Sequence, residues 1–161
     1  MQWLETLSRR LSLWGAYLSS LLLIALVGLI LVEIVGRSFF DTSTMIADEY
    51  SGYLYLATVF FGLAFTFREK GHIRINIVTA RLGEKGRRNM DVFAGVLSVG
   101  VMVFVLYYCW AFMIDAHEME MVSENVSETP LYLTQIPMPV GVGVFLFALV
   151  VFTLKKAFYD R

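Results

Sequence analysis

The stretch LSLWGAYLSSLLLIALVGLILV, residues 11–32, contains 22 residues without a charged side chain. An α-helix rises about 1.5 Å per residue, so this stretch is long enough to cross the roughly 30 Å hydrocarbon core of a bilayer. Three further uncharged runs of 18, 23 and 26 residues follow, at residues 50–67, 92–114 and 129–154. The sequence therefore predicts an all-α integral membrane protein with four transmembrane helices.

The composition leaves little chain outside these helices. Of the 161 residues, 58% are hydrophobic and 17% are charged, and the mean hydropathy is +0.67, which is unlike the usage of a soluble domain. We expect a single four-helix membrane domain over residues 1–161, because no segment between the spans is long enough to bury a core of its own. The predicted spans lie at about residues 12–36, 49–67, 90–114 and 137–155.

The basic residues are divided unevenly between the two sides of the predicted bundle. Of the 13 lysines and arginines, all but Arg37 lie in the N-terminal flank, in the 68–88 segment or in the C-terminal flank, whereas the two opposite loops carry eight carboxylates. Lysine and arginine favour the cytoplasmic side, so both termini are predicted to be cytoplasmic. A basic cluster at that end of a span is expected to contact anionic phospholipid headgroups, and it does not indicate nucleic-acid binding.

Two segments are candidates for interfacial helices. Residues 3–14, WLETLSRRLSLW, place apolar side chains at helical spacing, with Ser8 and Ser12 elsewhere on the helix. This pattern predicts a short amphipathic helix in the cytoplasmic interface, with tryptophan at headgroup depth. An extension of the first span explains the same pattern and stays open as an alternative. The second candidate is the 72–86 loop.

The fourth uncharged run is interrupted by Pro130, Pro137 and Pro139. Proline inside a helix removes a backbone hydrogen bond, but it is well tolerated in the first turn. We therefore predict that the continuous fourth span begins near Pro137 or Pro139. Residues 129–136 are expected to form a separate outer turn or short helix.

Few residues are candidates for chemistry inside the membrane. The interiors of the four runs contain no aspartate, glutamate, lysine, arginine or histidine, and such residues usually mark the working site of a membrane carrier or enzyme. Glu33 and Arg37 lie four residues apart at the outer end of the first span, where they can pair on one helix face. We predict a protein that is not an enzyme and that has no catalytic residue, cofactor or metal.

Two chemical alternatives were weighed against that prediction. Asp115, His117, Glu118 and Glu120 lie close together in one outer loop and leave a divalent metal site open, although their spacing matches no known geometry. A quinone-linked or cytochrome subunit is disfavoured, because the spans contain no histidine and Cys109 is the single cysteine.

Small residues recur at four-residue spacing in the first two spans. They are Gly15 and Ser19 in the first span, and Thr58, Gly62 and Thr66 in the second. Such ridges let helices approach closely in lipid. Glycine and serine are also frequent in membrane helices, so close packing and chance both explain the pattern.

Four short stretches carry a resemblance to a known family: Arg37 in EIVGRSFF, Glu49 in ADEYSGYLYL, Gly62 in FFGLAF, and Arg68, His72 and Ile73 in FREKGHI. In their order and spacing they resemble the small membrane subunit of tripartite ATP-independent periplasmic (TRAP) transporters, the DctQ-like family. The length, the four spans and the inside termini fit over the whole chain. In one departure, residues 45–47 hold no tryptophan where the family often has one.

The resemblance implies a multi-pass protein of a bacterial or archaeal inner membrane with two protein partners. A periplasmic binding protein delivers the substrate, typically an organic acid. A large membrane subunit carries the substrate and sodium sites and moves as an elevator. The resemblance also implies that the small subunit binds the large one and extends its fixed scaffold, with Arg37, Glu49, Gly62, Arg68 and His72 serving packing or topology. For Thr58 and Thr66 the same role is predicted from the spacing of small residues alone.

Three further hypotheses come from individual residues. The exposed carboxylates Glu118, Glu120 and Glu124 are predicted to help receive the binding protein. His72 is predicted to close the cytoplasmic turn through a hydrogen bond. The alternative function is a self-sufficient small exporter, a four-helix homodimer that uses one embedded carboxylate, for which Glu33 is the candidate.

Overall fold

The computed structural model describes residues 2–69 and 83–158, apart from the side chains of residues 84 and 85. Five helices follow one another in these two ranges. They are α1 (Gln2–Phe40), α2 (Ala47–Arg68), α3 (Glu84–Glu118), α4 (Leu131–Gln135) and α5 (Pro137–Phe158).

Four of these helical segments are long and apolar enough to cross a membrane: α1, α2, α3, and α4 together with α5. The prediction of an all-α membrane protein with four spanning helices is confirmed. The helices extend beyond several of the predicted spans, most clearly α1, which has 39 residues. Where the bilayer ends along each helix stays a prediction.

The N-terminal residues do not form a helix of their own. Residues 2–40 are one continuous helix, because no glycine pair or proline interrupts the run between Trp3 and Trp14. The prediction of a separate interfacial helix is wrong in this respect, and the alternative of an extended first span describes the chain. Trp3 and Trp14 are exposed on this helix, whereas Ser8 and Ser12 are buried against the protein.

The second predicted interfacial segment lies mostly outside the described residues. Residues 72–82, including His72, are among those not described, so that prediction is neither supported nor contradicted there. Of the remaining residues of the segment, Gly83 is the N-cap of α3, and α3 itself begins at Glu84.

The helices form an open arrangement around α5. The α1 and α2 helices pack along each other, and α5 packs against α2, α3 and, less extensively, α1. The α3 helix packs against α5 and α4, and makes no comparable contact with α1 or α2. Among the described helices, α5 accordingly carries more of the buried apolar core than any other: Val142, Ala148, Leu149 and Val151.

Two glycines allow backbones to approach closely. A Cβ atom added at Gly15 of α1 would lie 2.6 Å from the carbonyl oxygen of Phe61 on α2. A Cβ atom at Gly141 of α5 would collide with the carbonyl oxygen of Phe60. Because Gly141 stands near the start of α5 while Phe60 lies past the middle of α2, α5 begins opposite the middle of α2.

The proline-rich segment behaves as its sequence predicts. The short helix α4 ends at Gln135, and α5 begins at Pro137, with Ile136 between them. Proline has no backbone N–H that would be left unpaired in the first turn of a helix, so Pro137 is well tolerated as the first residue of α5.

The bundle has two ends, which we call the terminal end and the loop end. At the terminal end α1 begins, α2 ends, α3 begins and α5 ends. The polar contacts that join helices there include three between described residues: Arg68 donates to Ser8 Oγ at 2.9 Å, Arg88 donates to the carbonyl oxygens of Lys156 and Ala157, and Lys155 pairs with Glu5 at 3.1 Å. The loop end holds the connections 41–46 and 119–130.

Candidate functional site

A buried carboxylate organises the connection between α1 and α2. Glu33, near the end of α1, is buried and accepts hydrogen bonds from the hydroxyls of Ser43 and Thr44 and, at 3.1 Å, from the backbone N–H of Thr44. Arg37 donates to Oε1, the oxygen that also accepts from Ser43, with Nε 2.7 Å from it. Both carboxylate oxygens are therefore paired, as a buried charge requires.

Arg37 links this carboxylate to the next helix. It lies one helical turn beyond Glu33, as the four-residue spacing predicts, and its guanidinium also stands 3.6 Å from Asp48 in the first turn of α2. The side chain of Arg37 is about half exposed. Arg37 thus contacts both α1 and the first turn of α2 at the loop end, and the carboxylate of Glu33 lies between it and the 41–46 turn.

A second carboxylate, Glu49, fastens the 119–130 connection, which we call the outer loop, to α2. The hydroxyl of Ser127 donates to Glu49 Oε2 at 2.7 Å, and the phenol of Tyr53 donates to Oε1 at 2.7 Å. At the next residue of α2, the hydroxyl of Tyr50 lies 3.0 Å from that of Thr129. We call the contacts of Glu49 and Tyr50 with residues 127–129 the loop clasp.

The outer loop also has backbone structure of its own. An isolated antiparallel bridge pairs Val122 with Pro130, and the N–H of Ser123 donates to the carbonyl oxygen of Thr129 at 2.9 Å. Together with the loop clasp, these bonds hold both ends of the loop in one place.

The three carboxylates predicted to receive the binding protein are exposed around this loop. Glu118 ends α3, and Glu120 and Glu124 follow it. Glu120 has a φ of 49°, a left-handed conformation that a non-glycine side chain adopts at some cost. The loop therefore presents carboxylates on a backbone whose ends are fixed, while their docking role stays a prediction.

The small residues of α1 and α2 meet in part. Ser19 donates its hydroxyl to the carbonyl oxygen of Thr58 at 2.7 Å, and a Cβ atom added at Gly62 would lie 3.2 Å from Ser19 Oγ. Thr58 and Gly62 therefore face α1. Thr66 is exposed and donates to the carbonyl oxygen of Gly62 within its own helix.

Arg68 and His72 are separated by the limit of the described residues. Arg68, the last residue of α2, donates to the buried hydroxyl of Ser8, a contact that the sequence did not indicate. His72 and its predicted hydrogen bond lie outside the described residues.

The described residues contain no cluster of side chains that could hold a metal ion. Within residues 2–69 and 83–158, no three histidine, cysteine, aspartate or glutamate side chains converge on one point. His117 contacts the ring of Tyr132, with centroids 4.7 Å apart. The carboxylates of Glu33 and Glu49 both accept hydrogen bonds from neighbouring residues of the fold. Each of them thereby holds a loop in position.

Sequence reasoning missed the partners of these carboxylates. It paired Glu33 with Arg37 by local spacing, but it assigned no role to Ser43, Thr44 or Ser127. A serine and a threonine in a short turn are too common to single out, and the contact of Ser127 with Glu49 depends on the tertiary fold.

The outward face of α3 is apolar and unusually aromatic. Four side chains recur along it at spacings of three or four residues or their sums, and all are more than half exposed: Phe93, Leu97, Phe104 and Tyr108. Gly100 lies among them, and a Cβ atom added there would meet nothing within 4 Å. We call these five residues the α3 face.

Comparison with known proteins gives two matches. The family model described as the DctQ component of tripartite ATP-independent periplasmic transporters matches residues 26–158. The chain is also similar to a Haemophilus influenzae protein that carries a provisional name as a TRAP transporter small permease protein. The two are 25% identical over 144 residues, which cover 89% of this chain and 85% of that relative.

Proposed function

Because this chain belongs to the DctQ component family of tripartite ATP-independent periplasmic transporters, we propose that it is the scaffolding small membrane subunit of such a transporter. The family is a transporter component, and the chain is a multi-pass protein of the inner membrane. We propose that it packs against a large membrane subunit and fixes the part of that subunit that does not move.

The observation that carries this proposal is the open arrangement of the helices. The α3 helix has 35 residues but packs through one side only, against α5 and α4. Helices associate in lipid through packing rather than apolar burial, and aromatic side chains are enriched where proteins meet. We therefore propose that the large subunit packs on the α3 face.

The transported substrate and its driving force belong to this proposal as well. We propose sodium-coupled import of an organic acid, delivered by a periplasmic binding protein, with the ion and substrate sites in the large elevator-type subunit. This chain contributes no evident pathway: among the described residues Glu33 is the one buried ionisable side chain, and it is paired with Arg37.

Orientation follows from the same charges that the sequence shows. We propose that the terminal end is cytoplasmic, since Arg9, Arg10, Arg87, Arg88 and Lys155 lie there. The loop end then faces the periplasm, where the carboxylates around the outer loop can meet a binding protein.

Co-purification of a tagged form of this chain with the large subunit tests the proposal. We expect a stable complex after extraction in mild detergent, and its absence under several detergents would contradict the subunit role. The docking face is tested with Gly100→Trp, which places a bulky ring on the α3 face without an internal clash. We expect this variant to lose most of the bound large subunit.

The matched control is Gly28→Trp on α1, where an added Cβ atom also meets nothing within 4 Å. It should retain the large subunit. If Gly28→Trp releases the partner and Gly100→Trp does not, the large subunit packs on α1 instead. Transport by this chain reconstituted alone would revive the exporter alternative.

A further inference from the structure

We infer that one anionic phospholipid, from the leaflet on the terminal side, binds in two apolar grooves beside α5, with its headgroup at Arg9 and Arg10. The inference concerns a binding site of this chain itself and does not depend on the proposed partner subunit.

The first groove lies between α1, α2 and α5 and has a volume of about 420 Å³. Its α1 wall runs from Leu11 through Trp14 and Leu18 to Leu21, and Phe61 and Val144 face them. Every lining residue is apolar or aromatic. The groove is therefore suited to a hydrocarbon chain and to nothing that needs hydrogen bonds.

The second groove lies on the other side of the first turns of α5, between α1 and α3, and has a volume of about 700 Å³. It exists because α3 does not close against α1. Its walls include Leu106 and Trp110, and Gly143 forms part of its floor. The two grooves share Leu11, Val140 and Val144, so they are separated by a single ridge.

The volumes match acyl chains. An apolar cavity of about 150 Å³ holds a six-carbon benzene molecule, which is roughly 25 Å³ per carbon. On that scale the first groove holds on the order of 17 carbons and the second more. Two adjoining grooves of this size fit the two chains of one diacyl lipid.

The length of the grooves argues for a lipid and against a transmembrane helix. From Leu11 to Leu21 the α1 wall rises roughly 15 Å, which is half of the hydrocarbon thickness of about 30 Å. A crossing helix needs the full thickness, whereas the chains of one phospholipid occupy one leaflet. The grooves are thus as deep as one leaflet at the terminal end.

The charge at the mouth of the grooves selects the headgroup. Arg9 and Arg10 are exposed and directly precede Leu11. Arg10 stands four residues before Trp14 and seven before Tyr17, so these three side chains share one face of α1. Tryptophan and tyrosine favour headgroup depth, and arginine there attracts anionic lipid.

Native mass spectrometry of the purified full chain tests the site. The protein is incubated in detergent with dioleoyl phosphatidylglycerol or with dioleoyl phosphatidylcholine at equal concentration. We expect at least fivefold more bound phosphatidylglycerol. Equal retention of the two lipids would overturn the charge-selected site.

Two pairs of variants separate the headgroup from the chains. Arg10→Gln should reduce the preference for phosphatidylglycerol at least twofold, whereas Arg87→Gln, at an exposed arginine of the same end on α3, should keep it. Val140→Phe enlarges the shared ridge, so that the ring occupies space in the grooves, and it should reduce binding of both lipids. Val59→Phe, at an exposed position of α2 outside the grooves, should not reduce it. Circular dichroism of each variant confirms that it is folded.

Other occupants give distinct results. If Val140→Phe leaves lipid retention unchanged, the inference is wrong. If it instead releases the large subunit or abolishes a dimer of this chain, while the lipid stays bound, the grooves receive a protein helix. Loss of lipid binding with the large subunit still attached would support the lipid site alone.

Discussion

Ser127 donates its hydroxyl to the carboxylate of Glu49 across 2.7 Å, although the two residues stand 78 positions apart in the chain. This contact and the neighbouring one between Tyr50 and Thr129 fasten the outer loop to the start of α2. A bond between a hydroxyl and a carboxylate is stronger than one between neutral groups. The loop should therefore depend on it for its position.

We predict that Ser127→Ala loosens the outer loop. The loss of one hydrogen bond should lower the melting temperature by a few degrees, on the order of 3 °C for a chain of this size. Limited proteolysis should show faster cleavage within residues 119–130. Asp115→Asn, at an exposed position of α3, is the control and should change neither; equal proteolysis of both variants would show that the clasp does not hold the loop.

We predict that Gly15→Ala destabilises the packing of α1 on α2. The added methyl group would lie 2.6 Å from the carbonyl oxygen of Phe61, and neither backbone can yield as a side chain does. Overpacking of this kind costs about 1–3 kcal/mol. Unfolding in detergent followed by circular dichroism measures it. Gly28→Ala has open space around the new atom and should not be destabilising, because alanine favours a helix more than glycine does. A similar loss at both positions would contradict a specific clash with Phe61.

We predict that Glu33→Gln leaves transport per folded complex unchanged. Glu33 accepts hydrogen bonds from Ser43, Thr44 and Arg37. Its charge therefore stabilises the 41–46 turn and is not needed to carry a proton. The amide keeps one acceptor oxygen but cannot form an ion pair with Arg37, and expression and thermal stability should fall. Uptake normalised to the amount of complex gives the comparison. Abolished transport at normal stability would favour the exporter alternative.

We predict that reversing Glu118, Glu120 and Glu124 to lysine lowers uptake at normal expression. If the native carboxylates attract a basic surface of the binding protein, the new lysines repel that surface and slow the encounter. The concentration of binding protein that gives half-maximal uptake should then rise several-fold. The effect should weaken at high salt, which screens charges. The corresponding glutamine variant should give an intermediate value. Unchanged uptake in the lysine variant would rule out docking at this loop.

Local rules account for what the sequence predicted well. The break between α4 and α5 follows from the missing N–H of Pro137, and the pairing of Glu33 with Arg37 follows from a four-residue step on one helix face. Both depend on residues close together in the chain. Four long apolar runs sufficed in the same way for the fold class.

Contacts between distant residues explain what the sequence did not predict. The sequence pattern predicts Ser8 and Ser12 on the polar side of an interfacial helix, yet both are buried. Ser12 donates to the carbonyl oxygen of Ser8 within its own helix, and Ser8 receives Arg68, which lies 60 residues further along the chain. A serine satisfied by its own helix can be buried at little cost, and the position of Arg68 is set by the fold. The contact of Glu49 with Ser127 could not be predicted either, because the two residues are 78 positions apart in the chain.

The order of the helices along the chain has a consequence for biosynthesis. The α1–α2 hairpin can form as soon as both helices have left the ribosome, but α3 is made before α4 and α5, the two helices it packs against. During insertion α3 is therefore in the bilayer before the helices it packs against have been synthesised. Truncation of the chain before Leu131 should leave α3 as the segment most exposed to membrane proteases, and completion of α5 should protect it.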